Sequence, residues 1–192
     1  MRRTTMLVAC TLALALCAGY AVAATTPGPD TLKVDYFSNA NTSGAPDGTF
    51  RIINPGTAGG SLCAAIYVFD TYQELSECCS CYLSPDALDT LSVNSDLTDN
   101  PLTGVTLSTG VIKVVSTAVK GGSCPYYPSS LTPTAGLRSW MTHIQNSSFT
   151  ITETASQDAT LSAAEVSRLQ SECYAIQLDG SGRGRCYCDG SE

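Results

Sequence analysis

Leu62-Cys-Ala-Ala-Ile-Tyr-Val-Phe69 is the most apolar run beyond the first thirty positions of the chain. It is short for a helix. Its β-branched and aromatic residues (Ile66, Tyr67, Val68, Phe69) favour a pleated strand. No polar residue alternates with the apolar ones, so the strand is expected to be central and buried on both faces. The next apolar segment, Leu75 to Leu83, holds Glu77-Cys-Cys-Ser-Cys81. In a strand neighbouring the first, Cys79 and Cys81 would point to one face and Cys78 to the other. Near the end of the chain, Arg185-Cys-Tyr-Cys-Asp189 places Cys186 and Cys188 on one shared face in the same way.

The remaining segments fit around that strand. Thr31 to Ser38 alternates apolar and polar residues, and Thr49 to Ile53 ends at Asn54-Pro55-Gly56. Leu91 to Asn94 is expected to be a short strand, Asp96 to Gly104 a turn-rich connection, and Gly110 to Thr117 a further strand. Lys120 to Pro133 reads as a long loop. Leu137 to Ile144 and Ser148 to Thr154 read as a hairpin across Gln145-Asn146-Ser147. One helix is expected from about 163 to 177, because Val166, Leu169, Cys173 and Ile176 fall on one helical stripe. Ser162 with Glu165 forms a capping box, and Leu161 with Val166 a hydrophobic staple. Many short strands and one late helix, without βα alternation, predict a mainly β fold. The expected architecture is an antiparallel β-sandwich held by disulfides, with one helix near the C-terminus.

The N-terminus carries a different message. Arg2 and Arg3 precede the uncharged run Met6 to Ala18, and Ala21-Val22-Ala23 has the small-residue pattern of a cleavage site. Residues 1–23 are therefore expected to be a secretory signal peptide. Cysteines at Cys10 and Cys17 lack the context of a lipidation box. No later segment has the ~18 apolar residues of a membrane span. Cleavage after Ala23 leaves 169 of the 192 residues as one domain, 24–192. That domain has 17 acidic and eight basic residues, no basic run, and so no expected affinity for nucleic acid.

Eight cysteines follow the leader: Cys63, Cys78, Cys79, Cys81, Cys124, Cys173, Cys186 and Cys188. An even count in an exported chain points to disulfides. Two strands carrying paired sulfurs could be bridged twice, Cys79 and Cys81 to Cys186 and Cys188. Cys78 would then reach Cys63, Cys124 or Cys173 on the opposite face. A bridge from Cys173 would clamp the helix to the sheet.

Other chemistries fit the sequence less well than this framework. A four-thiolate zinc site would need reduced cysteines and usually C-x2–4-C spacing, where this chain has C-C-x-C and C-x-C. Cys78 and Cys81 form a C-x-x-C, but the βαβ context of a thioredoxin-like site is missing. No G-x-S-x-G elbow exists. His143 is the single histidine, and strand alternation sets it opposite Trp140, Thr142 and Ile144, as a surface or hydrogen-bonded strand residue. The carboxylate pairs Asp86/Asp89 and Glu74/Glu77 are read as ordinary surface. Asn94 to Asn100, with Asp96 and Asp99, clusters oxygen ligands that suit calcium, yet it lacks the glycine and late glutamate of an EF-hand loop. The same residues build turns. Gly180-Ser-Gly-Arg-Gly184 follows a helix, the reverse of a phosphate-binding loop, and reads as a turn returning the tail to the sheet. Tyr126 and Tyr127 in the Pro-rich loop suit protein or glycan contact, or packing under that loop. Asn41 and Asn146 begin formal glycosylation sequons.

Taken together, "CAAIYVFD" (Cys63 to Asp70), "ECCSC" (Glu77 to Cys81), "DLTDNPLTG" (Asp96 to Gly104) and "GSGRGRCYC" (Gly180 to Cys188) resemble a group of uncharacterised, exported, cysteine-rich bacterial proteins. The resemblance implies export and a shared cysteine framework, and it carries no catalytic residues. The chain is thus expected to be a periplasmic or extracellular structural, adhesion or recognition module. Its partner would be an unidentified protein or glycan. No catalytic, cofactor-binding or metal-ligating residue is assigned. The competing expectation is an exported thiol-disulfide oxidoreductase or hydrolase.

Overall fold

The computed structural model describes residues 30–124, 131–178 and 181–188. The expected leader and the Tyr126-Tyr127 pair lie outside them. The central strand is β3 (Leu62–Phe69), hydrogen-bonded antiparallel to β4 (Leu75–Leu83) on one side and β6 (Gly110–Ala118) on the other. Beyond β6 lie β1 (Leu32–Phe37) and the three-residue β9 (Gln157–Ala159), completing a five-stranded sheet in the order β4-β3-β6-β1-β9. A second sheet runs β5-β2-β7-β8, built from β5 (Leu88–Ser92), β2 (Thr49–Ile53), β7 (Arg138–Gln145) and β8 (Thr150–Ala155). Every strand pair within the two sheets is antiparallel.

The two faces of β3 meet different partners. Leu62, Ala64, Ile66 and Val68 join Phe37, Phe50, Ile52, Ile112 and Met141 in the core between the sheets. Ala65, Tyr67 and Phe69 instead join Leu169, Cys173 and Ile176 of α1 (Ala163–Leu178). The helix therefore covers the outer face of the first sheet, and the sandwich has a third layer on that side. This is why all eight residues of β3 are buried. The second sheet has no such cover. Its strands β2 and β5 alternate buried with more exposed positions.

The start of α1 follows its local signals in part. Ser162 Oγ accepts the Glu165 N–H at 3.0 Å, and Leu161 and Val166 pack in one cluster. The Glu165 carboxylate does not complete the capping box. It turns to Lys113 at 2.7 Å and Arg168 at 2.8 Å, because two cations outweigh one backbone amide. Arg168 above all, with Lys113, holds that carboxyl down at about 2. Two elements depart most from expectation. The strand expected at Leu91 to Asn94 spans Leu88–Ser92, and Val93 and Asn94 belong to the following turn. The short β9 was not foreseen.

Gly184 shows how tightly the tail is seated. Its φ is +76°, and a Cβ there would lie 2.4 Å from Ile176 Cγ2. Only glycine satisfies both constraints. Gly184→Ala is expected to cost about 1–3 kcal/mol. It should also speed reduction of the tail's disulfides by dithiothreitol, measured by alkylation and mass spectrometry beside a thermal melt.

Candidate functional site

All eight cysteines that follow the expected leader are paired: Cys63–Cys124, Cys78–Cys173, Cys79–Cys186 and Cys81–Cys188. Alternation along β4 explains the pattern. Cys79 and Cys81 face the inter-sheet core and meet the tail, while Cys78 faces α1 and meets Cys173. The two tail bridges have the same sequence separation, 107, so the tail runs parallel to β4. Cys78 N–H donates to Gly184 O at 2.9 Å, and Tyr187 N–H to Asp96 O at 2.9 Å. The tail thus closes the outer edge of β4. The Cys79, Cys81 and Cys188 sulfurs lie within 4.8 Å of one another, the one such group of three ligand-bearing residues among those described. This crowding comes from two neighbouring bridges, and an oxidised sulfur offers no thiolate to a metal. The Cys78/Cys81 pair of a C-x-x-C site is likewise divided between opposite faces.

His143 does not carry the geometry of a general base. Its Nε2 lies 2.8 Å from Thr154 Oγ1 and 3.5 Å from Asp35 Oδ1, so one nitrogen meets both the hydroxyl and the carboxylate. A catalytic histidine needs them on opposite nitrogens. Nδ1 is buried with no hydrogen-bond partner among the described residues. Ser156 Oγ donates to Asp35 Oδ2 at 2.8 Å, which makes the carboxylate a bridge between sheets. The ring stacks on Tyr36 with centroids 4.4 Å apart. Of the two placements expected for His143, surface or hydrogen-bonded, the structure shows the second: it is 3% exposed, because β1 packs across β7 there.

The carboxylate pairs also divide. Asp86 and Glu74 are exposed, while Asp89 and Glu77 are buried, which corrects the reading of both pairs as surface. Glu77 shares the inward face of Cys79 and Cys81, and this period of two was the signal that could have placed it. Asp96 is buried at 7% and accepts the Ser92 N–H at 2.5 Å, as a turn-building residue would. Asn94 Oδ1 accepts the Asn41 N–H at 2.9 Å. The oxygen cluster considered for calcium thus holds the turn together, and Asp96 and Asp99 do not enter any three-ligand group among the described residues.

The open surface lies elsewhere. A groove runs between α1 and the β3–β4 turn, formed by two adjoining cavities that share Gln73. The larger, about 730 Å³, has Leu75, Leu102 and Ile176 on its walls and Glu74 and Glu172 among its polar groups. The smaller, about 400 Å³, is bounded by Phe69, Asp70, Lys113 and Arg168. Lys113 Nζ and Arg168 Cζ stand 5.3 and 5.0 Å from the Phe69 ring centroid. Asp70 Oδ1 accepts the N–H groups of Tyr72 and Glu74 and shapes the turn, which projects Tyr72 at 83% exposure. Among the described residues that line the groove, no nucleophile and base pair meets. Its walls are apolar and its ends charged. Sequence spacing could not show it, because its walls come from distant segments. Comparison with protein-family models, curated proteins and solved structures finds no match for this chain.

Glu77 is a strongly perturbed acid. It is fully buried, its Oε1 accepts the Asn100 N–H at 3.2 Å, and its Oε2 has no hydrogen-bond partner among the described residues. Burial pushes its carboxyl from 4.5 up to about 8. The folded state therefore holds a proton that the unfolded state releases. Its contribution to stability is fully present below pH 4.5 and is lost as pH rises through about 8. Glu77→Gln should flatten the fall in denaturant midpoint between these pH values and leave the variant more stable than the parent above pH 8. Parallel pH slopes for the two proteins would refute the assignment.

Proposed function

We propose that this chain is an exported, non-enzymatic structural or recognition module acting in the periplasm or outside the cell. The observation that carries this reading is the closure of all eight cysteines after the expected leader into four bridges. Such a framework suits an oxidising compartment and a domain that persists outside the cell. The leader pattern at residues 1–23 supports the same address. No helix among the described residues is long and apolar enough to cross a membrane. The groove between α1 and the β3–β4 turn supports recognition, since it offers apolar walls, charged ends and an exposed tyrosine beside it.

The alternatives gain less support. A thiol-disulfide oxidoreductase needs a reactive pair at one accessible place, and Cys78 and Cys81 belong to different bridges on different faces. A hydrolase centred on His143 lacks the opposed hydrogen bonds of a base and its orienting carboxylate.

Two measurements test the proposal. Maleimide labelling of the exported protein should find no free thiol, native or denatured, and eight after reduction. A labelled pair in the native protein, together with turnover in an insulin-reduction assay, would establish the oxidoreductase instead. Arrays of cell-surface glycans and proteins should return a ligand whose binding weakens at least tenfold in Glu74→Lys, at the groove's charged rim. A ligand unaffected by that change would remove the groove from the reading.

A further inference from the structure

We infer that the free edge of β8 docks a second copy of this chain, the two β8 strands pairing antiparallel about Thr152. β8 is the last strand of its sheet, bonded to β7 alone among the described residues, and all six of its residues are exposed. The hydrogen-bond phase fixes what it offers. Ser156 N–H donates to Ser139 O at 3.0 Å, so the register sets Thr154, Thr152 and Thr150 as the positions bonded to Met141, His143 and Gln145. The N–H and C=O groups of Ile151, Glu153 and Ala155 then point away from β7. Gln157 Nε2 reaches Ala155 O at 3.5 Å. Ile151 and Glu153 are left as the open donor and acceptor positions.

A two-fold axis through Thr152 uses these groups fully. Ile151 of one copy exchanges both hydrogen bonds with Glu153 of the other, and the reverse, giving four bonds. Thr152 then faces its own copy as a non-hydrogen-bonded pair, and Thr150 faces Thr154 on either side. Threonine opposite threonine is a favourable cross-strand pair. No like charges stand directly opposite, and each Glu153 keeps its ion pair with Arg51 of its own chain. The register centred on Glu153 would set two carboxylates face to face, so it is disfavoured. The strand is thus complementary to itself, which is what an isologous interface requires.

The other three sheet edges each carry a blocking device. The tail covers β4 and is held there by two disulfides. β9 is three residues long, and β5 has the inward-pointing Asp89. Short edges, covered edges and inward charges are the usual defences against strand pairing. β8 is neither short, covered nor bulged: Thr-Ile-Thr-Glu-Thr-Ala contains no proline or lysine, its one charge, Glu153, is paired with Arg51, and its register with β7 is unbroken. A single strand pair buries little area, so the association is expected to be weak, micromolar or above.

Sedimentation of the oxidised, processed chain from micromolar to near-millimolar concentration should show a monomer–dimer equilibrium. Ile151→Pro removes an N–H that faces away from β7. It should weaken dimerisation at least tenfold with an unchanged far-ultraviolet spectrum. Thr152→Cys, oxidised gently, should give a covalent dimer joined at residue 152, since non-hydrogen-bonded pairs bring Cα atoms within disulfide reach. Ile151→Cys, offset across the axis, should not. Peptide mapping confirms that the four native bridges are intact in each. A monomer at every concentration, a dimer indifferent to Ile151→Pro, or a cross-link at residue 151 instead of 152 would each overturn the inference.

Discussion

Three of the four disulfides leave from one strand. Cys78, Cys79 and Cys81 of β4 tie down α1 and the tail, across sequence separations of 95, 107 and 107. Each closure of about this length removes ~5 kcal/mol of chain entropy from the unfolded state in the loop model, though overlapping loops do not add. That constraint bears most on the helix layer. The cluster under α1 is the smaller of the two cores, with Leu169, Cys173 and Ile176 as its buried helix residues. Covering the outer face of β3 is what allows Ala65, Tyr67 and Phe69 to be apolar, so the double burial of β3 rests on the bridges of its neighbour.

The same covalent frame accommodates groups that a looser core would expel. Lys33 is 2% exposed and lies between Asp158 and Asp30. Asp35 links His143 and Ser156 at the point where the chain passes from β8 in one sheet to β9 in the other. There the Ser156 backbone bonds to Ser139 of the second sheet while its hydroxyl bonds to Asp35 of the first. A buried polar bridge is a weak source of net stability, because desolvation offsets its attraction. Its contribution is positional: it defines where the two sheets cross. Glu77 is a different case, since burial with one unpartnered oxygen favours its neutral form and makes stability depend on pH.

What the amino-acid order revealed follows the range of each interaction. The double-faced strand at Leu62–Phe69, the helix stripe from Val166 to Ile176 and the alternation of Cys78, Cys79 and Cys81 are local periodicities, and all three are legible. Val93 extends the apolar alternation of Leu91, so the pattern sets the strand later than β5 lies; in the structure Val93 N–H bonds Gly48 O from a turn. Gln157-Asp-Ala159 has no apolar residue to announce β9, which exists because Leu32–Val34 offer an open edge. Glu77 and Asp89 were legible in principle, as both share the inward face of apolar or cysteine neighbours two residues away. Composition argued against burying them, and composition was the weaker guide. Asp35 and Ser156, 121 positions apart, meet through topology alone, and so do the walls of the groove.

The double bridge on β4 raises a question of register. Because side chains alternate with a period of two, sliding the tail by two residues along β4 would keep its sulfurs on the correct face and pair Cys81 with Cys186. Face alone therefore does not select the observed pairing. Four contacts outside the bridges do. Gly184 fits beside Ile176 only at its present height, since any residue with a Cβ there would clash. Gly184 N–H donates to Asn100 O at 2.7 Å, and Asn100 Nδ2 donates to Gly182 O at 2.9 Å. Tyr187 N–H donates to Asp96 O at 2.9 Å. A slipped tail would lose these bonds and leave Cys79 and Cys188 without partners. The turn from Asp96 to Asn100 thus acts as the gauge against which the tail is set, and the disulfides lock the same register that these weaker contacts favour.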